Sequence, residues 1–305
     1  MKIGVVFPHD TLEPDHGAIR AYAQAVEQMG FSHILSYDHV INANAASRPD
    51  WGTKYNLDSK FHEAFTLLSY IAAVTSRIGL ATGVMILPQR QTVLVAKQAA
   101  TLDLLSNGRL RLGVGTGWNE VEYEALGVPY KSRGKIFDDQ IDVLRALWTQ
   151  RAVTFDTPWH KITDAGLFPM PLQRPIPLWL GGGGVHPLLG WGNAEKVIRR
   201  IAKKADGWLP TFEPDDTGAE LVGRFREYCV EFGRDPDTVE IEALLLPAMY
   251  EDWEGHCAAW AKLGATRMVC NISAPNISGL DANLKRLEEV QTRLKAAGHW
   301  SEGEV

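Results

Sequence analysis

Cysteine is scarce in this chain: Cys229, Cys257 and Cys270 are the only three, and no CxxC spacing occurs. An odd, small set without a framework excludes a disulfide-stapled secreted domain and points to a reducing cytoplasm. Positive charge is equally thin. The basic clusters are the short Arg199-Arg200 and Lys203-Lys204, and the formal net charge is -6. Nucleic acid is therefore disfavoured as a partner, because binding phosphate backbones requires a basic surface. Long apolar runs are missing too. None approaches the roughly 20 residues needed to span a bilayer. The apolar stretch in MKIGVVFPHD is too short for the core of a signal peptide.

What the chain has is a regular alternation. With 45% hydrophobic and 22% charged residues it has ample material for a sizeable core. Short β-rich runs are read at Ile3–Phe7, His33–Tyr37, Ile78–Ile86, Leu110–Val114, Pro177–Leu180, Gly207–Pro210, Val239–Leu246 and Arg267–Asn271. Helical periods lie between them, at Ala18–Met29, His62–Thr75, Thr92–Leu105, Arg133–Thr149, Asn193–Lys204, Ala219–Phe232, Trp253–Leu263 and Leu280–Ala297. Apolar residues three and four apart, as in Ile136, Ile141, Leu144 and Trp148, give such helices one buried face. Eight strand–helix units imply a parallel sheet closed as a (β/α)8 TIM barrel. Two insertions interrupt it: a polar loop Ile41–Lys60, and Gln150–Arg174, rich in proline and aromatics. No linker divides the chain, so residues 1–305 are expected to form one domain.

Barrel chemistry sits at the C-terminal ends of the strands, and several chemistries are missing there. No lysine stands at a strand end, which removes a Schiff-base nucleophile. There is no HxH or HExxH pair, and His9, Asp10, Asp38 and His39 lack multi-ligand spacing, so no metal is expected. No GxSxG elbow appears. Glycine is present instead. Gly181–Gly184 follows a strand and leads toward a helix, either as bare backbone that a phosphate can approach or as a flexible turn.

The stretch GRLRLGVGTGWNE (Gly108–Glu120) first suggests a dinucleotide loop. Asp138 and Asp139, about 20 positions on where such a loop needs an acid, fall inside a helical pattern. The stretch fits the fourth strand of eight better, with Gly115 and Gly117 clearing space beside a flat ring.

The segments GFSHILSYDH (Gly30–His39), RIGLATGVMILPQRQTVLVAKQAATLDLLSNGRLRLGVGTGWNEVEYEALG (Arg77–Gly127), RPIPLWLGGG (Arg174–Gly183) and ADGWLP (Ala205–Pro210) together resemble the luciferase-like flavin and deazaflavin oxidoreductases. The form GVGTGWNEVEYEALG is most similar to the branch that uses coenzyme F420. The resemblance implies a (β/α)8 enzyme moving a hydride between F420 and a small organic substrate. A two-component FMN monooxygenase, served by a separate flavin reductase, is the alternative. A non-catalytic flavin-binding barrel is a third reading, of a different class. The resemblance also implies a homodimer packed through helices of the second and third units.

By the same resemblance, Gly83-Val84 matches a cis-peptide bulge behind the ring. Gly181, Gly182, Gly183 and Gly184 match the phosphate glycines, while Gly115, Thr116, Gly117 and Trp118 line the cofactor. Asp38 and His39 match a catalytic pair whose histidine exchanges a proton with the substrate, a task that suits imidazole near neutral pH; alternatively His39 caps the long loop. The chain departs from the sugar-phosphate dehydrogenases of that branch, which place a glutamate directly after GTG. Trp118 stands there, and the nearest carboxylate, Glu120, is either a catalytic acid or a charge at a helix start. Trp51 and Tyr55 in the polar loop either close over the substrate or belong to a mobile surface segment, Ile41–Lys60.

Overall fold

Ile3 and Val5 alternate with Gly4 and Val6 along the first strand, and this period of two recurs around the molecule. One set of side chains turns outward to the helices and the other fills the barrel interior. A computed structural model describes residues 1–51, 55–185 and 190–301, with 190 and 191 as backbone alone. Residues 52–54 of the expected loop Ile41–Lys60 lie outside the described residues.

In chain order the elements are β1 (Lys2–Val6), α1 (His16–Gln28), β2 (His33–Ser36), α2 (Ala64–Val74), β3 (Gly79–Thr82), β4 (Met85–Ile86), α3 (Thr92–Leu105), β5 (Leu110–Gly115), α4 (Glu120–Ala125) and α5 (Arg133–Thr149). There follow β6 (Val153–Asp156), β7 (Lys161–Ala165), β8 (Leu178–Gly182), α6 (Gly190–Lys204), β9 (Gly207–Pro210), α7 (Asp216–Glu231), β10 (Glu240–Leu245), α8 (Trp253–Lys262), β11 (Arg267–Cys270) and α9 (Leu280–Ala296). β1 pairs in parallel with both β2 and β11, and β3 pairs with β5, so the parallel sheet closes on itself. β4 prolongs the third position. The result is the expected eight-stranded parallel barrel with flanking helices.

Three features add to the eight-unit pattern, the first of them the bulge expected at Gly83-Val84. The third strand is not continuous: Ala81 pairs with Arg111 and Met85 with Val114, four steps against three. One residue is therefore extra, a β-bulge, and the Gly83-Val84 peptide inside it is cis. The insertion Gln150–Arg174 carries the antiparallel hairpin β6–β7. The short helix α4, capped by the Asn119 side chain on the Val121 N–H, follows the GTG motif directly.

The interior has two layers of opposite character. Toward the strand C-termini, Val6, Leu35, Ala81 and Val269 form a small apolar cluster. Toward the strand N-termini, the inward side chains are His33, Arg111, Trp179, Glu242 and Arg267. Glycines admit them: a Cβ on Gly4 would fall 2.1 Å from the His33 ring, and one on Gly207 would fall 2.2 Å from Trp179. The larger core lies between strands and helices, with Trp148, Trp208 and Trp260 fully buried there. All three cysteines are free and buried. No helix among the described residues is long and apolar enough to cross a membrane.

Candidate functional site

The C-terminal ends of the strands surround a cavity of about 400 Å³. Val6, Leu35 and Val269 of the apolar cluster line it, joined by Leu244 and Glu242. Its back wall is the bulge, Gly83 and Val84. Gly115 and Gly181 stand opposite. A Cβ on Gly115 would sit 2.6 Å from Val84 Cγ2, and one on Gly181 would sit 2.7 Å from Val84 Cγ1. These glycines make room first for Val84, which can then project into the cavity as a backstop. Gly113 is required for a related reason, since its Cβ would fall 1.9 Å from the Thr82 carbonyl oxygen on the bulge.

Every cofactor residue expected from sequence up to Gly182 lies in the cavity wall: Gly83, Val84, Gly115, Thr116, Gly117, Trp118, Gly181 and Gly182. Gly183 and Gly184 continue the rim just outside it. Gly182 and Gly183 have φ of 126° and 103°, a backbone path natural to glycine. A Cβ on Gly183 would meet Trp208 at 2.9 Å. The rim is pinned by Trp208, whose Nε1–H donates to the Gly182 carbonyl at 2.8 Å. Beyond it α6 begins at Gly190.

The residues fit a flat ring with an anionic tail. The described lining has no lysine or arginine, Val6, Leu35, Leu244 and Val269 give it an apolar surface, and bare backbone at the rim stands before the start of a helix. Such backbone suits a phosphate without a cationic side chain.

His39 stands in the cavity wall, its side chain 11% exposed. Its imidazole packs against Tyr55 and Phe61, each at a centroid distance of 4.7 Å, with Trp118 at 6.0 Å. Trp51 in turn lies 5.7 Å from Trp118, and its indole N–H donates to the Tyr55 carbonyl at 2.7 Å. The base of the polar loop is tied down by the Lys60 N–H donating to Asp10 at 2.7 Å. The loop thus brings its aromatic residues over the histidine.

His39 Nδ1 is 2.9 Å from the buried Glu122 carboxylate. Glu122 was not singled out in the sequence. The signal that exposes it is the Asn119 cap: a helix starting at Glu120 turns residues 122 and 123 inward and 120 outward. Glu120 is exposed and outside the cavity wall.

Asp38 lines the cavity, but its carboxylate is fully engaged. Oδ1 accepts from Arg90 Nη2 at 2.6 Å, and Oδ2 accepts from the Ile86 N–H at 3.1 Å. It ties the end of β2 to β4 and so holds the bulge. His9 is buried beside Ser36 and His62 and outside the cavity wall. Burial, then the neighbouring His62 and His39, press its imidazole down to about 3.

Comparison with known proteins gives this site a context. The chain is 31% identical over 274 residues to the uncharacterized protein Rv0953c of Mycobacterium tuberculosis, covering 88% of this chain and 91% of the relative. It is 28% identical over 195 residues to the FMNH(2)-dependent dimethylsulfone monooxygenase of Pseudomonas putida, covering 63% and 47% of the two chains. In fold it is similar to an F420-dependent secondary alcohol dehydrogenase solved with an F420-acetone adduct. The TM-score is 0.75 at 17% identity, covering 95% of this chain and 97% of that one. A riboflavin lyase solved with modified FMN and riboflavin also gives a TM-score of 0.75, at 16% identity, with 100% and 93% covered. A family model described as luciferase-like monooxygenase matches residues 1–302. Members of that family are flavin- or F420-dependent oxidoreductases or monooxygenases, and this chain belongs to it.

Proposed function

We propose that the protein is an F420-dependent oxidoreductase acting on a small, uncharged organic substrate such as an alcohol or ketone. The observation that carries the proposal is His39, an imidazole in the wall of an apolar cavity backed by Val84 and rimmed by the Gly181–Gly184 run. F420, when bound, supplies or accepts the hydride, and the protein supplies position and proton handling. Val84 supports one face of the ring. Gly182 and Gly183 offer backbone to the phosphate. Tyr55, Phe61 and Trp118 shield His39 from water on the substrate side.

When an alcohol carbon gives up a hydride, its O–H must give up a proton, and His39 Nε2 takes it; in the reverse direction Nε2 returns it. Within this reading Asp38 anchors the bulge and Glu120 has no part in the chemistry. The deazaflavin-like segment GVGTGWNEVEYEALG supports F420 over FMN, and the dimethylsulfone monooxygenase relative supports the FMN reading. The proposal includes a single domain and a cytoplasmic homodimer, with a separate reductase only in the FMN case.

The test is a screen of reduced F420 oxidation against ketones, enones and imines, with His39→Ala as control. Turnover that His39→Ala lowers by about 10²–10⁴-fold is expected. Turnover unchanged in that variant would remove His39 from the mechanism. Consumption of oxygen and substrate with reduced FMN alone would replace the proposal by the monooxygenase reading.

A further inference from the structure

Glu122 is wholly buried; it accepts from the Val40 N–H at 3.1 Å and Gln89 Nε2 at 3.2 Å, and His39 Nδ1 lies 2.9 Å away. None of them is a lysine or arginine. A buried carboxylate is costly to keep without a cation, so its retention here needs a reason. Its partners supply one. An ionised carboxylate only accepts, so the 2.9 Å contact is a hydrogen bond when Nδ1 is the ring nitrogen that carries hydrogen. Nε2, which has no hydrogen-bond partner among the described residues, is left with its lone pair toward the cavity.

We infer that Glu122 is the positioning residue that fixes the tautomer of His39 and takes up the charge created when Nε2 gains a proton. The inference rests on the proposed oxidoreductase reading for its catalytic consequence, though not for its geometry. In the oxidative direction the C–H electron pair leaves the substrate carbon as hydride to the oxidised cofactor. The O–H proton passes to His39 Nε2, and the carbonyl forms. The ring then carries one positive charge, 2.9 Å from a carboxylate that no other cation has neutralised. In the reductive direction the same proton returns to the new hydroxyl. The short helix α4, directly after the GTG motif, carries this carboxylate. Tyr123 locks it by donating its phenolic O–H to the Thr116 carbonyl at 2.6 Å, so the cofactor wall and the positioning carboxylate move as one piece.

The experiment uses the full chain, wild type and the variants Glu122→Gln and Glu122→Asp. ¹⁵N NMR of the histidine ring, assigned with His39→Ala, is recorded on cofactor-free protein. The wild type is expected to show the Nδ1–H tautomer at His39. Glu122→Gln, whose amide can face either way, is expected to show mixed tautomers. Its kcat is expected to fall by up to the roughly 10²–10⁴-fold that a positioned acid–base group contributes. KM and the F420 dissociation constant stay unchanged, and Glu122→Asp recovers part of kcat.

An Nε2–H tautomer in the wild type would overturn the inference, as would an unchanged kcat in Glu122→Gln. Should Glu122→Gln fail to fold, the wild-type tautomer and the Glu122→Asp kinetics still decide it. Failure of the F420 reading has a separate signature: no F420 binding, with the His39 tautomer as stated.

Discussion

At the closed end of the barrel, His33 Nε2 lies 3.0 Å from Glu242; at the open end, His39 Nδ1 lies 2.9 Å from Glu122. Both carboxylates are buried, and both pairs join two barrel units. They differ in what holds the remaining atoms. At the closed end, His33 Nδ1 is 2.9 Å from the Ser32 hydroxyl, and the second oxygen of Glu242 meets Arg111 at 2.7 Å. Burial alone would raise the Glu242 carboxyl, but Arg111 and then His33 outweigh it and hold it down to about 2. Burial likewise pushes the His33 imidazole down, against the pull of Glu242. Arg111 also stacks over Trp179, 4.1 Å from the ring centroid. Both ring nitrogens and both carboxylate oxygens there lie within 3.0 Å of a protein partner. At the open end one nitrogen is left over, and it faces a cavity. Similar residue pairs thus serve packing at one end and chemistry at the other, according to their outer partners.

The largest effect that separates the two ends is catalytic. His39→Ala should cut turnover by about 10²–10⁴-fold with the F420 dissociation constant preserved, whereas His33→Ala should leave turnover per folded molecule near wild type. Steady-state kinetics on both variants, each checked by circular dichroism, would erase the contrast if His33→Ala were the more damaged.

Stability should show the opposite order. Glu242→Gln leaves Arg111 buried without its charge partner, a loss of about 3–5 kcal/mol, read from the denaturant midpoint. The pH dependence has a definite sign. The Glu242 carboxyl is depressed on folding, so its contribution is complete above 4.5 and is lost as pH falls toward about 2. The variant should lack that part of the acid limb. The same limb in both proteins would show that the closed-end pair does not carry it.

A smaller effect sharpens the account of the mouth. Gly115→Ala places a Cβ 2.6 Å from Val84. Overpacking of that kind costs about 1–3 kcal/mol, and part of it should appear as cofactor affinity weakened roughly tenfold. Titration of the folded variant, well below its lowered thermal midpoint, checks this. An unaltered dissociation constant would show that Val84 does not support the ring.

The barrel was legible because its signals repeat. Eight apolar strands and eight amphipathic helices each announce themselves by period, and the glycines of the mouth stand in short motifs. Glu122 was harder to see: α4 has six residues, too few for a helical period, so Glu120 looked like the nearer acid. The charged interior was hidden for another reason. His33, Arg111 and Glu242 are separated by 78 and 131 positions along the chain, and the glycines that admit them look like ordinary strand breaks. Their meeting is a product of barrel closure. The bulge was visible through resemblance alone, since nothing in the local pattern of Ile78–Ile86 marks an extra residue.

The central claim is that the mouth of this barrel is a deazaflavin site. Its most direct test is the titration of purified wild-type protein with F420 and, separately, with FMN under the same conditions. The account predicts the smaller dissociation constant for F420; tighter binding of FMN, or binding of neither, would contradict it.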